Sequence, residues 1–230
     1  MNPLLLPLVA VQGMWVRSRT EKLPPAAGPL DGTAGEGDGR PVLVGVLGES
    51  TAAGCGVDAH TEGFAGGLAH ELARRSGRPA AWQVVGQNAA TARRIRHRLL
   101  PRLGSGLDVA VLLAGVNDVL GRRPLAEWGE DLSAIVGGLT ERAELVVVAG
   151  VPPFESFPSL PRSLARYLAR RAAALDEVSR QVCAGFPTAT WLNSAALTPL
   201  NADFFARDRF HPSGTGYRRW AEAVADVIEL

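Results

Sequence analysis

Short runs of aliphatic and β-branched residues alternate along this chain with longer segments in which apolar residues return every three or four positions. The runs lie at 42–47 (Val42, Leu43, Val44, Val46, Leu47), 81–85, 108–114 and 145–149, with a shorter one at 188–192. They are apolar on both faces, which predicts strands covered on both sides, as in parallel sheets. Helical spacing predicts helices over 64–75, from Thr91 to about residue 100, over 124–139, from about 161 to 183, and over 213–230. Gly77 and Pro79 stop the first of these. Strand–helix alternation of this kind predicts a mainly parallel, doubly wound α/β sheet of five strands, with right-handed crossovers.

Two stretches near the amino terminus break the pattern. Residues 4–16 are apolar but interrupted by Pro7, Gln12 and Gly13, and are shorter than the roughly 20 residues needed to span a bilayer. No basic residue precedes them, and Arg17 and Arg19 follow where a cleavage site would be, so a secretory signal is disfavoured. We read a short helix packed on the body, with peripheral membrane contact through residues 4–16 as the alternative. Residues 23–40 are rich in Pro and Gly and read as a linker or surface loop without an element. The chain thus divides into 1–40, an apolar helix and linker, and 41–230, the folded domain.

Composition narrows the picture further. At 230 residues, 47% apolar and 20% charged, the chain suits one soluble α/β domain. A net charge of +1 gives no electrostatic case for nucleic acid. Cys55 and Cys183 are too few for a disulfide framework and read as packing residues in a reducing, cytoplasmic compartment. His60, His70 and His97 fall in no metal-ligand spacing and read as surface or helix residues.

The polar residues that remain collect at the carboxyl ends of the strands, where open α/β sheets carry their chemistry. Ser50 follows the first strand in the sequence Gly48-Glu49-Ser50, with small residues after it. The 86–91 turn follows the second, and Gly115-Val116-Asn117-Asp118 the third. Near the end, Asp208 stands three residues before His211, itself followed by Pro212. A serine hydroxyl needs a base to become a nucleophile, and an imidazole base needs an acceptor on its other nitrogen. Each residue alone could be a helix cap or a turn. Together they lie on segments that a parallel sheet brings to one edge.

These four segments, in this order, resemble the blocks of the SGNH (GDSL-like) hydrolases over about residues 41–230. The resemblance implies a three-layer α/β/α, flavodoxin-like sandwich and a serine esterase without metal or cofactor. It implies Ser50 as nucleophile, His211 as general base and acid, and Asp208 as its orienting partner. The oxyanion donors it implies are the backbone amides of Ser50 and Ala89 and the side-chain amide of Asn117. Two residues depart from the family pattern: Glu49 stands where it has aspartate, and Ala89 where it has glycine. If position 89 needs a positive φ, alanine is strained there by about 1 kcal/mol.

The expected function is hydrolysis of small-molecule carboxylic esters through an acyl-enzyme, with a weak or silent domain that binds an acyl or glycan ligand as the alternative. A nucleotide-binding domain lacks the G-x-G-x-x-G and G-K-[ST] spacings. The G-x-S-x-G elbow of α/β-hydrolases lacks its second glycine, Ala52 standing there. Phe154, Phe157 and Leu160 suggest an acyl pocket near the rim.

Overall fold

The computed structural model describes residues 6–197 and 200–229. Seven helices of α type and six strands follow one another among these residues. They are α1 (Leu6–Arg19), β1 (Asp31–Ala34), β2 (Val42–Gly48), α2 (Phe64–Ser76), β3 (Ala80–Gly86) and α3 (Ala92–Arg94). Then come β4 (Leu107–Leu113), α4 (Val116–Leu120), α5 (Leu125–Thr140), β5 (Ala143–Ala149), α6 (Arg162–Ala184), β6 (Ala189–Leu192) and α7 (Gly214–Ala225). The strands form one mixed sheet in the order β1-β3-β2-β4-β5-β6. Leu4 and Leu5 of the expected amino-terminal helix, and Leu230 of the last one, lie outside the described residues.

The five expected strands are all present and run parallel to one another. A sixth, β1, corrects the reading of residues 23–40 as free of elements: it pairs antiparallel with β3 at the edge of the sheet. Its residues, Asp-Gly-Thr-Ala, carry no apolar pattern, because the strand is held by its backbone. Gly32 lies against the Trp82 ring, where a β-carbon would come within 2.7 Å of it. A glycine in a strand often marks such a close approach.

Side-chain alternation along β2 and β4 divides the core. Val42, Val44 and Val46 of β2, with Val109 and Val111 of β4, meet one layer, formed with Phe64, Leu68 and Leu72 of α2 and Tyr217, Trp220 and Val224 of α7. Leu47, Ala110 and Leu112 face the other layer, which includes Val9 and Val16 of α1, Leu132 and Ile135 of α5, and Leu168 and Leu175 of α6. The helix expected from Thr91 is regular only over α3. It widens over Ile95–Leu99 and tightens over Leu100–Arg102, where Pro101 has no N–H to give.

The strand order places the site. From β2 the chain moves outward to β3, then crosses to β4 on the other side of β2. The carboxyl ends of β2 and β4 therefore flank the switch point where ligands bind in such sheets. Gly86 makes room there. A β-carbon at Gly86 would sit 2.4 Å from the Ala53 amide nitrogen, so the turn after β2 rests directly on the end of β3. Gly86→Ala is expected to lower stability by about 1–3 kcal/mol. In a thermal melt that corresponds to a fall of roughly 2–10 °C.

Candidate active site

Ser50 begins a tight turn at the end of β2. The turn is closed by the Ala53 N–H donating to Glu49 O (3.0 Å) and the Cys55 N–H donating to Ser50 O (3.0 Å). From α7, the buried Tyr217 hydroxyl donates to Cys55 O at 2.7 Å. A second loop, 204–213, faces this turn. It is folded back on itself by the Ala206 N–H donating to His211 O (2.8 Å) and the Ser213 N–H to Phe204 O (2.8 Å). The Ser213 hydroxyl then caps α7 by accepting from the Gly216 N–H. The two loops meet closely at Gly56, where a β-carbon would lie 2.2 Å from Pro212 O.

This packing brings Ser50, His211 and Asp208 into line. Ser50 Oγ lies 3.0 Å from His211 Nε2, and His211 Nδ1 lies 2.6 Å from Asp208 Oδ2. Asp208 is buried. Burial raises its carboxyl pKa, but the His211 ring and the Phe210 N–H outweigh that and hold it below the ordinary value. The other carboxylate oxygen accepts from the Phe210 and His211 amides, both at 3.0 Å. An ionised Asp208 fixes the proton of His211 on Nδ1 and leaves Nε2 free to accept from the Ser50 hydroxyl.

Asn117, in the first turn of α4, connects the remaining segments. Its side-chain nitrogen donates to Glu49 Oε2 (2.5 Å) and to Ala90 O (3.1 Å). Glu49 also accepts the Val116 and Asn117 backbone N–H groups, each at 3.1 Å. The ends of β2, β3 and β4 are thus tied through one amide. That amide has two hydrogens and both are engaged. The backbone N–H groups of Ser50 and Ala89 donate to no protein group among the described residues. Ala89 is in the left-handed region, at φ 59°.

A sequence model of the GDSL-like Lipase/Acylhydrolase family matches residues 46–219. The chain belongs to this family. It is 25% identical over 185 residues to the GDSL-like esterase Rv1075c of Mycobacterium tuberculosis (strain ATCC 25618 / H37Rv), an alignment covering 78% of this chain. The chain spans 59% of that relative's length. Among solved structures it is similar in fold to TesA, with a TM-score of 0.62 and 21% identity, over 79% of this chain and 95% of that one. It is equally similar to phospholipase A1 from Streptomyces albidoflavus NA297, with a TM-score of 0.62 and 15% identity, over 82% of this chain and 100% of that one.

Within this GDSL-like domain several contributors escape a reading of the sequence. Asp118 is completely buried. It accepts the Ala92 N–H at the start of α3 (2.9 Å) and the Arg123 guanidinium (3.2 Å), so it holds the segment that follows Ala89. Arg123 also pairs with Asp131, which pairs in turn with Arg96 at 3.0 Å. No local spacing announces this network, since its members lie on α3, α4 and α5 and the loops between them. His60, expected at the surface or in a helix, is buried in a turn, and burial lowers its pKa. Cys55 is buried beside Ser50, and burial together with the Asp208 charge pushes its thiol up to about 11, which suits packing rather than attack. Phe154 and Phe157 are buried too, Phe157 packing on Phe205 and Phe210 at centroid distances of 5.3 and 5.1 Å. They fill the core rather than being exposed at the rim, Phe157 standing behind the Phe210 ring that lies against His211 at 5.3 Å. Leu160 packs against the same core, partly buried.

Two outcomes follow from this geometry. Ala89→Gly removes the left-handed strain and is expected to raise stability by about 0.5–1 kcal/mol in denaturant titration. Burial pushes the Glu49 carboxyl up to about 8 from its ordinary 4.5, against the pull of the Asn117 and Val116 N–H groups. Between those two values the folded state holds one more proton than the unfolded chain, so this group's contribution to stability declines as pH rises. Melting wild type and Glu49→Gln side by side from pH 5 to 8 should show the difference in Tm, variant minus wild type, increasing with pH.

Proposed function

We propose that this chain hydrolyses carboxylic esters through an acyl-enzyme on Ser50. The observation that supports it most is the unbroken hydrogen-bond line from Ser50 Oγ through His211 to Asp208. In this reading Ser50 Oγ attacks the ester carbonyl while His211 Nε2 takes its proton, and Asp208 stabilises the imidazolium that forms. The tetrahedral oxyanion accepts from the backbone N–H groups of Ser50 and Ala89. Collapse of the intermediate expels the alcohol, which leaves with the proton from Nε2. Water, deprotonated by the same nitrogen, then attacks the acyl-enzyme, releases the carboxylic acid and restores Ser50.

Asn117 enters this scheme differently from the expectation drawn from the family resemblance. With both amide hydrogens engaged by Glu49 and Ala90, it positions the oxyanion turn, and it becomes a third donor only by releasing one of them. One missing donor costs about 10²–10³-fold in rate. This supports a slower hydrolase, which is distinct from a silent binding domain because the serine, histidine and aspartate stay in register. The names of its relatives, an esterase and a phospholipase A1, agree on the ester bond and differ in its setting.

With p-nitrophenyl acetate, Ser50→Ala should lower kcat/KM by about 10⁴-fold or more, and Asp208→Asn by about 10⁴-fold. A fluorophosphonate probe should label wild type at Ser50 and leave Ser50→Ala unlabelled. Full activity in Ser50→Ala, or no label on wild type, would refute the proposal.

A further inference from the structure

Helix α1 is apolar on two opposite sides. Its inner side, Val9 and Val16, is buried in the core shared with α6, and the Ser163 hydroxyl of α6 donates to Gln12 Oε1 at 2.7 Å. Its outer side carries Leu8, Val11, Met14 and Trp15, which are 46%, 58%, 65% and 51% exposed. Steps of three and four residues put these side chains on one stripe, turned away from Val9 and Val16. Of the large hydrophobic residues exposed on the described surface, half are in this single helix. Apolar residues scattered singly need no explanation, whereas a contiguous patch does.

Charge indicates what covers the patch. Arg17, Arg19 and Lys22 follow the stripe directly, are exposed, and have no carboxylate partner among the described residues. Arg17 and Arg19 lie on the two flanks of the apolar stripe, and the Arg19 guanidinium sits over the Trp15 ring at 5.7 Å. The one acidic residue in this stretch, Glu21, is held by Arg207 at 3.0 Å. An apolar face bordered by unpaired cations and an amphipathic tryptophan complements the interface of a bilayer that bears anionic headgroups. Its 14 described residues span about 21 Å, less than the roughly 30 Å hydrocarbon core. No helix among the described residues is long and apolar enough to do so. The fitting geometry is a helix lying in the surface.

We infer that α1 docks this protein onto anionic lipid surfaces through Leu8, Val11, Met14 and Trp15. The docked helix is fastened to the chemistry by the Glu21–Arg207 ion pair, one residue from Asp208. Just beyond it, Ala26 and Ala27 donate to Ala53 O and Asp58 O of the turn after Ser50, both at 2.9 Å. Through these links a docked α1 is connected to both loops that carry Ser50 and His211. Taking the substrate to be an ester embedded in that surface rests on the hydrolase reading above; the docking itself does not.

Ser50→Ala protein, which keeps α1 and lacks the nucleophile, is mixed with phosphatidylcholine vesicles with and without about one-third phosphatidylglycerol. It should sediment with the anionic vesicles, bind neutral ones weakly, and release as salt rises. Trp15 emission, taken as the difference from a Trp15→Phe protein, should shift to the blue on binding. Adding Val11→Glu and Met14→Glu should weaken binding at least tenfold, and Arg17→Gln or Arg19→Gln about fivefold each. In the wild-type Ser50 background, Val11→Glu/Met14→Glu should leave p-nitrophenyl acetate turnover unchanged while slowing hydrolysis of an ester embedded in anionic vesicles. Failure to bind anionic vesicles, undiminished binding of the double variant, or a lipid-free dimer that shields Trp15 would each overturn docking. Binding without any ester turnover would leave docking standing and sink the hydrolase reading alone.

Discussion

A carboxyl group buried at the end of a strand cannot be left alone. Taken from water, it needs hydrogen-bond donors from its surroundings, and an unmet acceptor there costs on the order of 1–3 kcal/mol. Glu49 is that group. Its donors come from the two backbone amides that open α4 and from the Asn117 side chain. Because Asn117 reaches on to Ala90, satisfying one carboxyl fixes three strand ends relative to one another. Ser50 is the next residue along, so the position of its hydroxyl follows from a requirement imposed on its neighbour.

A second buried carboxyl does the same work one layer further out. Asp118 receives the first amide of α3 and the Arg123 guanidinium. Burial raises its pKa even so, despite the Ala92 amide and Arg123. Arg123 and Arg96 also hold Asp131, where their pull outweighs burial and leaves the carboxyl below its ordinary value. Buried ion pairs are weak evidence of net stability, since desolvation opposes the attraction; removing one partner is nonetheless costly. Their value here is geometric. They hold the loops around Ala89 and Asn117, which are short and lack a core of their own.

Most of the fold was legible in the residues because burial on both faces of a sheet demands long apolar runs, and Val42–Gly48 and Leu107–Leu113 supply them. β1 was not legible, because Asp31–Ala34 contributes backbone pairing, a place for the Trp82 ring and only the small Ala34 side chain, too little for an apolar pattern. At the site, the Ser50, Asn117, Asp208 and His211 segments stood out through their order along the chain. The strain at Ala89 followed from its residue type, and the left-handed backbone agrees. The engagement of Asn117 by Glu49 could not be read, since one added methylene in Glu49 says nothing of where its oxygens end. His60 and the Asp118–Arg123–Asp131 set were hidden for a related reason: their partners are remote in sequence and meet only through tertiary packing.

The path of residues 23–40 bears on where this protein can be cut. Those residues look like a dispensable tether, yet Leu23 and Ala26 are buried, and Ala27 bridges to Ala59. Asp31–Ala34 closes the sheet, and the Arg40 guanidinium grips Asp108 at the start of β4. A chain trimmed to begin at residue 41 would bare the outer edge of β3 to other chains and strip the support from the turn that carries Ser50. Any minimal version of the domain has to start upstream of Leu23.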